Sequence, residues 1–164
     1  MGGLDIGSGA FRYKDYTTVD LYAPEADIKA DMGELPIADG TIDDIWACHC
    51  LEHVPPERVQ LILKEWMRVL VPEGILKIVV PDLDDACRAW LVRSPGSLSM
   101  LYGSTGPGGA HYHGWGAIEM RDELTIAGFE VLSVQTYRET AVRNLGGTYW
   151  HAMVNIYAEV RKHK

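Results

Sequence analysis

The stretch "LDIGSGAFRYKDYTTVD", residues 4–20, holds two short apolar runs on either side of a glycine loop, the second ending in Asp20, and strands are expected at Leu4 to Ile6 and Thr17 to Leu21. In open α/β sheets a ligand lies across the carboxyl ends of the strands, and a glycine loop after the first strand lets the backbone approach it. Gly7 and Gly9 supply such a loop, but Phe11 and Arg12 stand where a dinucleotide fingerprint requires its last glycine. The segment from Ala10 to Tyr16 is also too short for a full crossover helix, which leaves little helix N-terminus to hold a pyrophosphate. A ligand without a phosphate bridge fits this loop better. Asp20, opposite Gly7 and Gly9, is placed to accept both hydroxyls of a ribose through charged hydrogen bonds.

The rest of the chain continues the alternation of short apolar runs and amphipathic stretches that marks an α/β sheet flanked by helices. Further strands are expected at Asp27 to Lys29, Ile45 to Cys48 and Ile75 to Val80. A helix is expected from Pro55 to Leu70, with Val59, Ile62, Leu63, Trp66 and Leu70 on one face and a stop at Pro72 and Gly74. A second should run from Asp82 to Leu91, with Asp82, Asp84 and Asp85 at its positive end, and a third from Ala117 to Ala127, stopped by Gly128. Two alternating runs, Phe129 to Tyr137 and Ala152 to Val160, read as closing strands that pair antiparallel. Residues 94–116, rich in Gly, Ser, His and Tyr, are too long for a neutral connector and read as a functional loop or lid, with a dimer contact as the alternative.

At 164 residues the chain fits a single domain spanning 1–164. Lys+Arg 15 against Asp+Glu 23 gives a net charge of -8, which disfavours nucleic acid and anionic membrane as partners. The basic cluster "VRKHK" is a tail rather than a groove. No apolar run reaches the ~20 residues of a membrane span, and no secretory pattern opens the chain, so a cytoplasmic location is expected. Cys48, Cys50 and Cys87 sit within apolar patterns, as reduced thiols do. "CHC" and "HYH" contain metal-binding residue types, but zinc sites space their ligands by at least two residues on a turn, and no metal is assigned.

"LDIGSG", "VDLY", "ADMGELPIADGTIDDIWACHCLEHV" and "RVLVPEGILKIVVPDLD" together resemble the class I S-adenosylmethionine-dependent methyltransferases. More narrowly, the chain is similar to small predicted methyltransferases with an SHxLEH-type segment after the fourth strand, often associated with glycan biosynthesis. The resemblance extends through "HYHGWG" and "AGFEV". It implies a Rossmann-like α/β sheet of seven strands, mostly parallel with an antiparallel last strand, and here with reduced N-terminal helices. S-adenosylmethionine is the implied cofactor. Asp5, Gly7, Ser8 and Gly9 would frame its methionine portion, Asp20 and Leu21 the ribose, and Asp31 with Met32 the adenine. Cys48, His49 and Leu51 would line the methionine end and the reacting methyl.

Beyond the cofactor, a hydroxyl or amine acceptor calls for a base. His49, Glu52 and His53 lie just past the fourth strand and Asp82 just past the fifth, on the ligand side of the sheet; His111 and His113 come from the long loop. His53 has the alternative of capping the next helix or bonding to backbone. The expected function is methyl transfer to a small-molecule or sugar-containing (glycan) acceptor. The alternative is a non-catalytic S-adenosylmethionine-binding module with a regulatory or assembly role.

Overall fold

Strand β1 (Gly3–Ile6) lies between β2 (Tyr16–Val19) and β3 (Ile42–Cys48) and is parallel to both. The computed structural model describes residues 2–10, 12–105, 108–138 and 154–163. Strand β4 (Leu70–Pro81) continues the parallel sheet beside β3, and β6 (Val154–Arg161) runs antiparallel between β4 and β5 (Glu130–Arg138). Six strands are therefore ordered β2-β1-β3-β4-β6-β5 among the described residues. The expected closing strands pair antiparallel as predicted; positions 152 and 153 of the second lie outside the described residues.

Helices α1 (Pro56–Val69) and α4 (Ala117–Ala127) cover one face of the sheet. Val59, Ile62, Leu63, Trp66 and Val69 of α1 are buried with Met120 and Leu124 of α4 against Leu4, Ile6, Ile45, Ala47, Leu76 and Ile78. Burying a side chain of this size contributes roughly 1.5–3 kcal/mol, so this face holds most of the apolar stabilisation. Helix α2 (Leu83–Leu91) follows β4, and α4 ends at Gly128 in the left-handed region, as the sequence predicts.

The opposite face differs in chemistry. In register across it stand Asp44 and Trp46 of β3, Lys77 of β4, and Tyr157 and Glu159 of β6, all half-buried. Among the described residues no helix lies between β1 and β2, and aromatic rings do part of the covering: Tyr13 packs edge-on against Tyr16 and Trp46, and Trp46 lies 6.4 Å from Tyr157. Asp44 ties the layer by accepting from the Tyr16 hydroxyl and the Lys77 ammonium, each at 2.6 Å.

One expectation needs correction. The strand at Asp27 to Lys29 is reduced to one bridge between Val19 and Ile28, because the Asp27 carboxylate accepts from the Thr18 N–H and hydroxyl at 3.0 and 2.8 Å and so replaces ladder bonds. Within the long segment 94–116 lies α3 (Ser97–Tyr102), a helix of six residues, too short to leave a readable period in the sequence.

Candidate functional site

At the carboxyl end of β1 the chain turns through Gly7, at φ +68°, and Gly9, at φ +56°. Left-handed φ is one reason these positions take glycine. Space is the second at Gly7, where an added Cβ would lie 2.3 Å from Cys50 Cβ, so the loop rests directly on the segment after β3. An added Cβ on Gly9 would meet nothing within 4 Å, and Gly9 therefore borders open space.

Asp20 binds this loop. Its Oδ2 accepts from the Gly9 N–H at 2.9 Å, while Oδ1 accepts from Tyr22 N–H and Ala23 N–H at 2.7 and 2.8 Å. Leu21 beside it is exposed. Asp5 and Ser8 behave differently: both are buried, and Oδ2 of Asp5 and Oγ of Ser8 have no hydrogen-bond partner. Burial, and then the negative charge of Asp20, push the Asp5 carboxyl up to about 6. A buried polar atom without a partner is costly, so this pair marks a place where a cationic or hydrogen-bonding ligand gains more than it would at the surface.

The expected adenine groups have partners within the chain. Asp31 Oδ1 accepts from Gly33 N–H at 2.8 Å and from Arg58 Nη2 at 2.7 Å. Burial opposes ionisation of Asp31, but these two donors outweigh it and hold the carboxyl below its ordinary value. The Met32 carbonyl accepts from Trp66 Nε1 at 2.9 Å. Arg58 and Trp66, both on α1, were not singled out for this role from sequence; basic and aromatic positions on a helix carry no signal of what lies opposite them.

After β3 the chain makes a tight turn. His49 sits at φ +53°, and its Nδ1 lies 3.2 Å from Oε1 of Glu52. Cys48 is half-buried, whereas Leu51 turns fully into the core because the short 3-10 turn Leu51–His53 points it under the sheet; its side chain supports the site rather than lining it. Glu52 is 1% exposed and its Oε2 has no partner. Burial opposes its charge, but the His49 hydrogen bond and the neighbouring His49 and His53 rings prevail, and its carboxyl lies below the ordinary value.

The loop packs onto this turn. The Glu52 carbonyl accepts from the N–H groups of Tyr112 and His113 at 2.9 and 3.3 Å. His53 Nδ1 donates to the Ala110 carbonyl at 3.0 Å and His111 Nδ1 to that of Met100 at 3.1 Å, with the two rings 4.9 Å apart. Burial depresses the His111 pKa below its ordinary value. His113 packs on Trp115 at 4.3 Å. Between turn and loop lies a cavity of about 210 Å³, walled by Glu52, Pro81, Leu83, Met100, His111 and His113 among others.

Asp82 stands apart from this cluster. Its Oδ1 accepts from Asp85 N–H at 3.2 Å and its main chain bridges Trp115, so it caps α2 and fixes the loop's return. His49, His53, His111 and His113 are thus gathered around Glu52, while Asp82 serves the frame.

Residues 4–78 match the methyltransferase domain family. No curated protein matches the chain by sequence. Among solved structures, the fold is similar to that of a SAM-dependent methyltransferase from Methanosarcina mazei, with TM-score 0.71 and 20% identity over 98% of this chain and 92% of that one. It is also similar to Burkholderia thailandensis 1,6-didemethyltoxoflavin-N1-methyltransferase, which was solved with 1,6-didemethyltoxoflavin and S-adenosylhomocysteine bound (TM-score 0.64, 20% identity, 99% of this chain and 71% of that one). The [4+2]-cyclase SpnF shares the fold as well, at TM-score 0.60 and 17% identity over 98% of this chain and 75% of that one.

Proposed function

We propose that the chain, whose residues 4–78 match the methyltransferase domain family, is a class I S-adenosylmethionine-dependent methyltransferase that methylates a small-molecule or sugar-containing acceptor held in the cavity beside Glu52. The observation that carries this reading is the pair of buried, unpartnered atoms Asp5 Oδ2, in β1, and Ser8 Oγ, in the glycine loop. They offer a carboxylate and a hydroxyl where an amino-acid arm would bring an ammonium and a carboxylate. S-adenosylmethionine, when bound, supplies a methyl group already activated by its sulfonium.

Asp5 and Ser8 hold the polar arm, and Gly7 and Gly9 let the backbone come close to it. Asp20, bonded to the Gly9 N–H, keeps the loop in shape and presents its carboxylate edge to the ribose. Asp31 and Met32, steadied by Arg58 and Trp66, border the adenine. Cys48 and His49, at the end of β3, adjoin the reacting methyl.

The chain's remaining task is alignment. Fixing an acceptor heteroatom in line with the transferring carbon is worth on the order of 7–11 kcal/mol. Met100 and Leu83 offer the cavity an apolar wall, and Glu52, His111 and His113 a polar one. The proton that the acceptor heteroatom gives up when the carbon–sulfur bond is exchanged for its own bond to the methyl carbon would pass to an imidazole of that wall, for which His113 is the assignment. His49 positions Glu52.

The fold is shared with a [4+2]-cyclase, so turnover is the deciding test. The purified protein is incubated with S-adenosylmethionine and panels of sugars, sugar nucleotides, and small hydroxyl- and amine-bearing molecules, and S-adenosylhomocysteine release is followed. Acceptor-dependent release supports the reading. Cofactor binding without release on any panel favours the non-catalytic module.

A further inference from the structure

We propose that Glu52, His53 and His111 form a binding site for one divalent cation of the zinc class, bordering the acceptor cavity. A carboxylate oxygen of Glu52 and one ring nitrogen from each histidine lie within 4.8 Å of one another. Ligands at bonds of about 2.1 Å in a tetrahedral site are roughly 3.4 Å apart. Side-chain movements of about 1 Å or less close the trio around a metal.

Three independent features favour a cation here over a mere polar cluster. First, a carbonyl can only accept, so the bonds from His53 to Ala110 and from His111 to Met100 place the proton on Nδ1 of both rings. Each Nε2 then carries a lone pair, and a backbone carbonyl behind the other nitrogen is the arrangement that orients metal-binding histidines. Second, Glu52 is 1% exposed and Oε2 has no donor. Its other oxygen is held by His49 at 3.2 Å, the kind of support that ligating carboxylates receive. Third, the two chain segments are locked to each other before any metal arrives. The Glu52 carbonyl accepts from Tyr112 and His113, and Gly103 bridges Ala110.

Two imidazoles and one carboxylate leave the fourth tetrahedral position open, as in zinc sites that keep a place for water or substrate. Glu52 and His111 both line the cavity, so that position is within reach of an acceptor oxygen placed there. A metal would there anchor the acceptor and lower the pKa of its hydroxyl. This use of the open position rests on the methyltransferase reading; the metal site itself does not.

The site takes no residue of "CHC" and only His111 of "HYH". Its ligands come from two segments, with His53 and His111 58 positions apart in the chain, so no short motif discloses it.

The test uses untagged full-length protein, stripped with a chelator and titrated with Zn²⁺ by calorimetry and with Co²⁺ by visible absorption, with no cofactor or acceptor present. One equivalent of each is expected, and the cobalt spectrum should lack the charge-transfer band of a thiolate ligand. His53→Gln and His111→Gln, shown to be folded by circular dichroism, should each weaken binding by about a hundredfold or more, beyond the loss typical of outer-shell changes. Glu52→Gln should do the same if it folds. Absence of saturable binding, a thiolate band, or wild-type affinity in both histidine variants would overturn the proposal. None of these results depends on methyl transfer, so failure of the enzymatic reading remains separately visible.

Discussion

The Gly9 N–H donates to Oδ2 of Asp20 at 2.9 Å, joining the loop after β1 to the acid after β2. The same carboxylate receives Tyr22 and Ala23 through its other oxygen, so one side chain shapes both banks of the groove. Asp20→Ala removes all three hydrogen bonds. We expect a loss of about 2 kcal/mol in urea unfolding, the scale of one or two charged hydrogen bonds at a part-exposed site, together with at least tenfold weaker cofactor binding. Unchanged affinity would mean that the acid is a turn device only.

The two loop glycines should respond differently. Gly7→Ala drives a methyl group into Cys50 as well as straining φ, so the variant should lose cofactor binding and several degrees of melting temperature. Gly9→Ala meets no atom within 4 Å and should lose only about 1 kcal/mol from the left-handed backbone. Equal effects on stability in thermal melts would show that the contact with Cys50 is absent in solution.

Asp5 couples the site to pH. Its carboxyl lies near 6, above the ordinary 3.8, so between about pH 4 and 6 the folded free protein holds a proton that the unfolded chain releases. Stability from this group is fully present below that window and is lost as pH rises through 6. Binding of an ammonium needs the ionised form, so cofactor affinity should fall as pH drops below 6, by up to tenfold per unit. Asp5→Asn should raise the melting temperature of the free protein at pH 8 and weaken and flatten cofactor binding across pH. A variant that binds as wild type does would remove Asp5 from the site.

Asp82 gives a test between cap and base. Asp82→Ser keeps an N-cap oxygen and should retain both stability and turnover, while Asp82→Ala should lose about 1 kcal/mol. Loss of turnover in a stable Ser variant would restore a chemical role.

Much of this arrangement was legible in the sequence where one local rule governs. The α1 face repeats its apolar positions over four turns, and Gly128 ends α4 because no other residue suits that φ so well. Gly7, Gly9 and Asp20 were readable together because strand ends bring them together in any parallel sheet. Asp27 misled because its side chain competes with the ladder for Thr18, a choice that alternation does not record. The polar cluster was half readable: His49, Glu52 and His53 are adjacent in the chain, but their meeting with His111 depends on how the loop returns to the Glu52 carbonyl.

The most direct measurement of the central claim is calorimetric titration of the free protein with S-adenosylhomocysteine at pH 8, beside Gly7→Ala. The account predicts saturable one-to-one binding to the wild-type protein and none to the variant. No heat of binding to the folded wild-type chain, or equal binding to both, would contradict it.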